Sequence, residues 1–343
     1  MTGSTAPEQR TEKGTDEDAT AEPAVQGWVA RSRASMADRR IIPARLVPFM
    51  ALIVVVIFFS ITGGQRFLSV ENATFLLQQS AIIAIPAFGV TLVIIAGSID
   101  LSVGSVVALT GVVAAVVANV AGPLPGMLAG LAVGVGVGLV NGIAFAGLQV
   151  PSFMVTLGML SVARGLTIVV SGSQPINVDA SFEVVGRMPG ILILFVLCFT
   201  GVTLLLHSSA FGRRAVAIGG QERVARLSGV PIRRMKVLLF AFSGLMAGLG
   251  GVALTARVGA ATPTAAMGFE LTAIAAVVLG GTPLTGGVGS MTNTVVGAFI
   301  IAILLNGMVI LGIPSEIQII VQGLVLVGAV YLSLERGKIG IIK

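Results

Sequence analysis

The sequence predicts an all-α polytopic membrane protein of about ten transmembrane helices. Both termini are expected on the cytoplasmic side, with one cytoplasmic helix carried on a long basic loop. Three observations predict this class. The 343 residues are 55% hydrophobic and only 10% charged, against about 25% charged in soluble domains. Apolar runs recur from Leu46 to Leu334, and roughly 20 apolar residues cross a bilayer as a helix. Basic residues gather beside these runs, as membrane topology requires.

Residues 1–40 are polar and lack an apolar period, which predicts a disordered cytoplasmic tail ahead of a membrane domain over 41–343. The first apolar run begins only near Leu46, too late for a secretory signal peptide. The first span is read over Leu46–Ile61, followed by a short mixed loop, GGQRFLSVEN. The second, Ala73–Ala96, contains Pro86, which is expected to kink it. GSIDLSVGS then leads into a third span, Val106–Ala121, and GPLPG reads as a tight turn. The fourth span, Met127–Leu148, is flanked and lined by glycines at 126, 130, 134, 138 and 142. That spacing of four places them on one helix face, where close backbone approach favours helix association in lipid.

QVPSF breaks this helix, and a moderately apolar segment, Met154–Val170, contains Arg164. A polar loop over 171–190 follows, then a sixth span, Ile191–Leu206. The seventh is Val237–Thr255, with a small-residue face at Gly244 and Gly248. The eighth, Phe269–Leu279, is short and ends in GGTPLTGGVGS; the ninth and tenth are Thr292–Leu311 and Ile317–Leu334. Segments 151–171 and 268–283 read as either full spans or re-entrant pieces, which need cover from protein. IIAGSIDLSVGS and VVLGGTPLTGGVGS resemble each other, and both interrupt apolar segments on the same side. They are a candidate internal repeat.

With ten spans, seventeen Lys and Arg fall on the cytoplasmic side and three, Arg66, Arg187 and Arg257, on the other. The longest polar interruption, His207–Lys236, holds seven basic residues against one acid, Glu222. Within it, Gly219 and Gly220 suggest a turn, Gln221–Leu227 a two-turn helix, and Gly229 with Pro231 a stop. Plain orientation charge or lipid-headgroup contact explains the arginines but not this shape. A partner that docks on the helix explains both.

Inside the apolar body, Asp100 is the lone acid of residues 72–178. It reads either as an N-cap of the following helix or as part of a pathway or gate. Arg164 reads as paired with Glu270 or as a substrate contact. Ser102, Asn141, Ser152 and Thr156 are further pathway or gate candidates, although each polar residue is also a candidate helix–helix hydrogen bond.

Several classes are excluded. No G-x-x-x-x-G-K-[ST] occurs, so a P-loop ATPase is out. A lone His207 and a lone, apolar-flanked Cys198 supply neither a metal site nor a disulfide. No catalytic constellation stands out, and an enzyme is not expected. Basic residues without interleaved aromatics exclude nucleic acid as a partner.

Four blocks in order, AGSIDLSVGSVVALTG, VPSFMVTLGMLSVARGL, FGRRAVAIGGQERVARLSGVPIRRMK and FELTAIAAVVLGGTPLTGGVGS, resemble the permease subunits of ribose-type ABC sugar importers. The resemblance implies a permease of the bacterial cytoplasmic membrane that pairs with a second copy, normally as a homodimer. It implies a separate cytoplasmic ABC ATPase, which takes the ATP and Mg, and an extracytoplasmic sugar-binding protein. It places Gly219, Gly220, Gln221, Glu222, Ala225, Arg226, Gly229 and Val230 in the ATPase-coupling segment. The chain departs from the family pattern at Ser98, Gln221 and Thr272, where glycine, asparagine and an acid are usual. A permease for another cargo, such as a nucleoside, an autoinducer-like furanose or a branched-chain amino acid, and a stand-alone secondary transporter are the alternatives.

Overall fold

The structure, a computed structural model, describes residues 46–340, with the backbone alone over 332–340. The tail expected over residues 1–40 lies outside the described residues, as do the side chains of Arg336 and Lys338 and all of Lys343. The described residues form twelve helices and one pair of two-residue strands. In order they are α1 (Val47–Leu68), α2 (Val70–Ile95), α3 (Val103–Ala121), α4 (Pro123–Leu148) and α5 (Ser152–Ser171). Then come β1 (Ile176–Asn177), α6 (Ala180–Glu183), α7 (Gly190–Ser208), α8 (Ala210–Leu227) and α9 (Ile232–Val258). β2 (Ala260–Ala261), α10 (Phe269–Leu279), α11 (Met291–Ile310) and α12 (Ser315–Gly340) complete the series.

The protein is an all-α, multi-pass membrane protein. Eight helices, α1 to α5, α7, α9 and α11, are long and apolar enough to cross a membrane, while α10 and Ser315–Tyr331 of α12 are apolar and shorter. Where ten spans were expected, the described residues give eight candidate spans and two shorter apolar helices. At 1.5 Å per residue the 11 residues of α10 extend about 16 Å, about half of a ~30 Å hydrocarbon core. Segment 268–283 is thus too short for a full span, whereas segment 151–171 has the length of one.

The centre of the bundle is α2 and α9. Every residue of α2 from Ser80 to Ile95 is buried, which is how a helix apolar on all sides behaves when others surround it. α2 stays helical on both sides of Pro86, and the proline ring lies against Gly250 of α9. The glycine face of α4 packs as expected. Gly126 and Gly130 meet Ala114, Ala118 and the Thr110 carbonyl of α3; Gly134, Gly138 and Gly142 meet the backbone of α9 at Gly244, Phe240 and Val237. Gly244 and Gly248 are the matching small residues on the α9 side. The outer surface of α1 is apolar and exposed at Ile53, Val54, Ile57 and Ile61, as a lipid-facing helix must be.

Three loops are more ordered than expected. GGQRFLSVEN is mostly helix: α1 runs to Leu68 with one non-helical residue, Gly64, and Ser69 caps α2 by accepting from the Asn72 N–H at 3.1 Å. GPLPG contracts to Gly122, because Pro123 and Pro125 sit in the first turn of α4, where a missing N–H leaves no bond unmade. In loop 171–190, β1 pairs antiparallel with β2, tying this loop to the exit of α9.

Candidate functional site

α8 is built from a capped start and a shaped stop. Ser209 Oγ accepts from the Gly212 N–H at 3.2 Å. At the other end Gly229 takes φ +80°, open to glycine without strain. The Val230 N–H donates to the Ala225 carbonyl and the Gly229 N–H to that of Arg226, both at 3.1 Å, a Schellman stop. The interior differs from expectation. Gly219 and Gly220 are helical, and the break falls on Gln221, at φ −160° and ψ 99°. The glycine at 219 serves close approach instead of a turn: a Cβ there would collide with the Ile95 carbonyl and the Gly287 N–H.

That contact joins three segments. The Gly287 N–H donates to the Ile95 carbonyl at 2.8 Å. Gly286 abuts Gly97, and Gly287 abuts Gly220. The two mutually similar glycine-rich stretches, 94–105 and 277–290, therefore meet each other and α8 at one point. Each ends a buried helix, α2 and α10, just before the junction.

The second half of α8 is tied back to the bundle by Glu222. Its carboxylate pairs with Arg226 at 2.9 Å and with Lys236 of α9 at 2.8 Å. Lys236 Nζ also stands 4.5 Å above the Phe145 ring of α4. Burial pushes the Glu222 carboxyl up, but the hydrogen bonds and charges of Lys236 and Arg226 outweigh it and hold it below the usual range. Ala225 is buried on the inner face of this turn.

Beyond the junction, residues 96–102 run without helix into α3 and carry a buried polar cluster. Asp100 is 3% exposed. Its Oδ1 accepts from the Ser102 N–H at 3.0 Å and the Ser102 hydroxyl at 2.7 Å, and its Oδ2 from the Ser243 hydroxyl of α9 at 2.8 Å. Asn141 of α4 donates to Ser102 Oγ at 2.9 Å. Ser152 Oγ and Thr156 Oγ1, one turn apart on α5, accept from the Ile99 and Leu101 N–H groups at 3.0 Å each. These two hydroxyls satisfy donors that a broken helix leaves without carbonyl partners. Asp100, Ser102, Asn141, Ser152 and Thr156 thus form one network binding the break to α4, α5 and α9. Asn141 Oδ1 is buried without a partner.

Two readings are corrected. Asp100 does not cap α3: that helix begins at Val103, and the carboxylate closes a turn onto Ser102 two residues on. Arg164 and Glu270 interact electrostatically but form no salt bridge within 4 Å, and the arginine's hydrogen bonds go elsewhere. Its guanidinium donates to the carbonyls of Pro263 at 3.1 Å, Ala265 at 2.8 Å and Ala266 at 3.4 Å. A planar fork of donors suits a run of carbonyls as well as a carboxylate. Glu270 instead lies against Gly104 at the start of α3, with Oε2 buried and unbonded. Both residues stand outside the Asp100 network. Ser243 is the member that sequence reasoning missed; a hydroxyl in mid-span, beside the small-residue face of α9, was its only signal.

Comparison with known proteins agrees with this architecture. The family described as "Branched-chain amino acid transport system / permease component" matches residues 72–330. Ribose import permease protein RbsC of Bacillus subtilis (strain 168) is 41% identical over 301 residues, covering 85% of this chain and 93% of that protein. Ribose import permease protein RbsC of Escherichia coli (strain K12) is 39% identical over 298 residues, covering 84% and 92%. Xylose transport system permease protein XylH of Escherichia coli (strain K12) is 35% identical, covering 84% and 91%. No solved structure matches the chain. The family match runs through both glycine-rich breaks, the buried network and α8, and the chain belongs to this family of transport-system permease components.

Proposed function

We propose that this chain is the membrane-spanning permease subunit of an ATP-driven importer for a ribose-like pentose or a similar monosaccharide. The cargo rests on the relatives, which are named for ribose and xylose transport. The transport mode rests on one observation, the junction where Gly219 of α8 is wedged against Ile95 and Gly287. A cytoplasmic ABC ATPase docks on the coupling segment Gly219–Val230 and holds the ATP and Mg; the permease binds neither. A second copy of the permease completes the channel, and an extracytoplasmic binding protein delivers the sugar. Force on α8 moves both glycine-rich breaks together, and alternating access follows.

In this reading the Asp100 network acts as a gate more than as a sugar site. Its donors are already bound to one another and to backbone, so it offers few free groups to a solute. Arg164 and Glu270 act near the α10 end of the path. The family description names branched-chain amino acids, and such a cargo is the second reading. A zwitterion calls for charged groups along the path, and Arg164 is already bonded to three carbonyls.

The test is uptake in proteoliposomes holding the permease with its ATPase and binding protein. Expected is ATP-dependent accumulation of labelled ribose or xylose and none of leucine. Leucine uptake assigns the cargo to the second reading. Accumulation by the permease alone, without ATPase, overturns the proposal in favour of a secondary transporter.

A further inference from the structure

A cleft of about 770 Å³ opens between the end of α4, the second half of α8 and the first turn of α9, at the end of the bundle that the basic residues assign to the cytoplasm. We propose that this cleft binds the phosphate headgroup of an anionic phospholipid from the cytoplasmic leaflet. The cleft shares Glu222, Arg226 and Val230 with the coupling segment, so its link to transport rests on the proposed function, whereas lipid binding itself does not.

Charge is the first argument. Arg226, Arg233, Arg234 and Lys236 line the cleft with a single acid, Glu222. Glu222 is shared by Arg226 and Lys236, which leaves Arg233 and Arg234 with no ion pair among the described residues. Two arginines without a carboxylate partner, lining one cleft, suit a phosphodiester, whose oxygens accept guanidinium donors. An aqueous basic loop needs no wall around such a pair, but this one has a wall.

The wall is the second argument. Phe145, Val150 and the α9 residue Ile232 give the cleft an apolar side. A headgroup attached to glycerol and acyl chains presents this mix of charge and hydrocarbon, whereas a free phosphate ion does not. The cleft also adjoins exposed apolar surface on α4. Leu148, one residue before the lining residue Gln149, is 69% exposed, and Ile143 is 61% exposed. Basic pockets between helix ends on the cytoplasmic side are where anionic headgroups collect, because that leaflet carries negative potential.

The third argument is location beside the helix that the proposed function sets in motion. The cleft is closed by α8 on one side and by α4 and α9 on the other, so its width follows the tilt of α8. A lipid held there senses, and biases, the position of that helix.

The experiment uses the full-length permease in zwitterionic nanodiscs. Binding of fluorescent short-chain phosphatidylglycerol is compared with that of phosphatidylcholine, for the wild type and for Arg233→Gln/Arg234→Gln. Expected is preference for phosphatidylglycerol by roughly tenfold to thirtyfold, as two surface arginines supply. The double variant should lose the preference, and millimolar inorganic phosphate should leave it intact. Equal binding of the two lipids overturns the proposal. So does competition by inorganic phosphate, which makes this a site for the free ion. A variant that keeps its lipid preference but loses the ATPase in co-purification also overturns it, by making the arginines a protein-docking patch. Because no ATPase is needed for lipid binding, failure here leaves the transport reading untouched. As a folding check, Arg213→Gln/Arg214→Gln, outside the cleft, should keep the preference; loss there too overturns a local site.

Discussion

Gly219 lies so close to the carbonyl of Ile95 that a Cβ on residue 219 would collide with it. The contact brings α8 against the last turn of the most buried helix in the bundle. Ile95 also accepts the Gly287 N–H, so one carbonyl holds together the ends of two interrupted segments. Four residues further along, at Ile99, the backbone enters the Asp100 network, which reaches α4, α5 and α9. Gly219 is thus linked to α4, α5 and α9 through covalent chain and buried hydrogen bonds.

Glu222 fixes the outer half of α8. Glu222→Arg places a third cation beside Arg226 and Lys236 and detaches the turn from α9. Uptake driven by ATP is expected to fall to background while membrane insertion stays normal, measured by transport and by detergent-extracted yield. Normal uptake in this variant removes the turn from the mechanism.

The same carboxylate sets a pH expectation. Its folded value lies below the usual one, so its contribution is complete above the unfolded value of about 4.3. That contribution is lost as pH falls through the lower folded value. Uptake limited by this link should be flat from about pH 5 to pH 8. A midpoint between about pH 5 and pH 8 in wild-type uptake that Glu222→Gln abolishes contradicts this.

The Asp100 network is a stability element whatever else it does. Asp100→Ala leaves the Ser102 and Ser243 hydroxyls and the Ser102 N–H without their acceptor, at about 1–3 kcal/mol for each donor left unsatisfied. A clear drop in Tm of the detergent-solubilised protein is expected. Ser243→Ala removes one donor and leaves the other two bonds in place, so its drop should be smaller. Equal drops contradict the geometry.

Arg164→Lys keeps the charge and loses the fork that spans three carbonyls. The segment 262–268 should then exchange amide hydrogens faster, with the amides of α2 unchanged. No change in that segment means that Arg164 does not hold it.

Much of this was legible in the sequence because bilayer physics simplifies it. The glycines of α4 at a spacing of four had to mark one packed face, and they do. The stop at Gly229 was legible because a positive φ there favours glycine. What was not legible was contact between distant segments. Gly219 and Gly220 suggest a turn when read locally, but Gly219 is glycine because Ile95 and Gly287 crowd it. Arg164 suggested an acid partner, yet carbonyls freed in a non-helical segment served equally well. Ser243 was silent, since a single hydroxyl in an apolar span reveals its partner only once α9 is packed against residues 96–102.

The adjacent glycines 219 and 220 give the most direct test of coupling through this junction. A Cβ on Gly219 meets backbone that cannot yield, while a Cβ on Gly220 meets nothing within 4 Å. The decisive measurement is ATP-dependent sugar uptake together with ATPase rate in reconstituted Gly219→Ala and Gly220→Ala. Expected is loss of uptake in Gly219→Ala, with the protein inserted and the ATPase still bound and turning over, and near-normal uptake in Gly220→Ala. Equal, near-normal uptake in both variants would contradict transmission through Gly219.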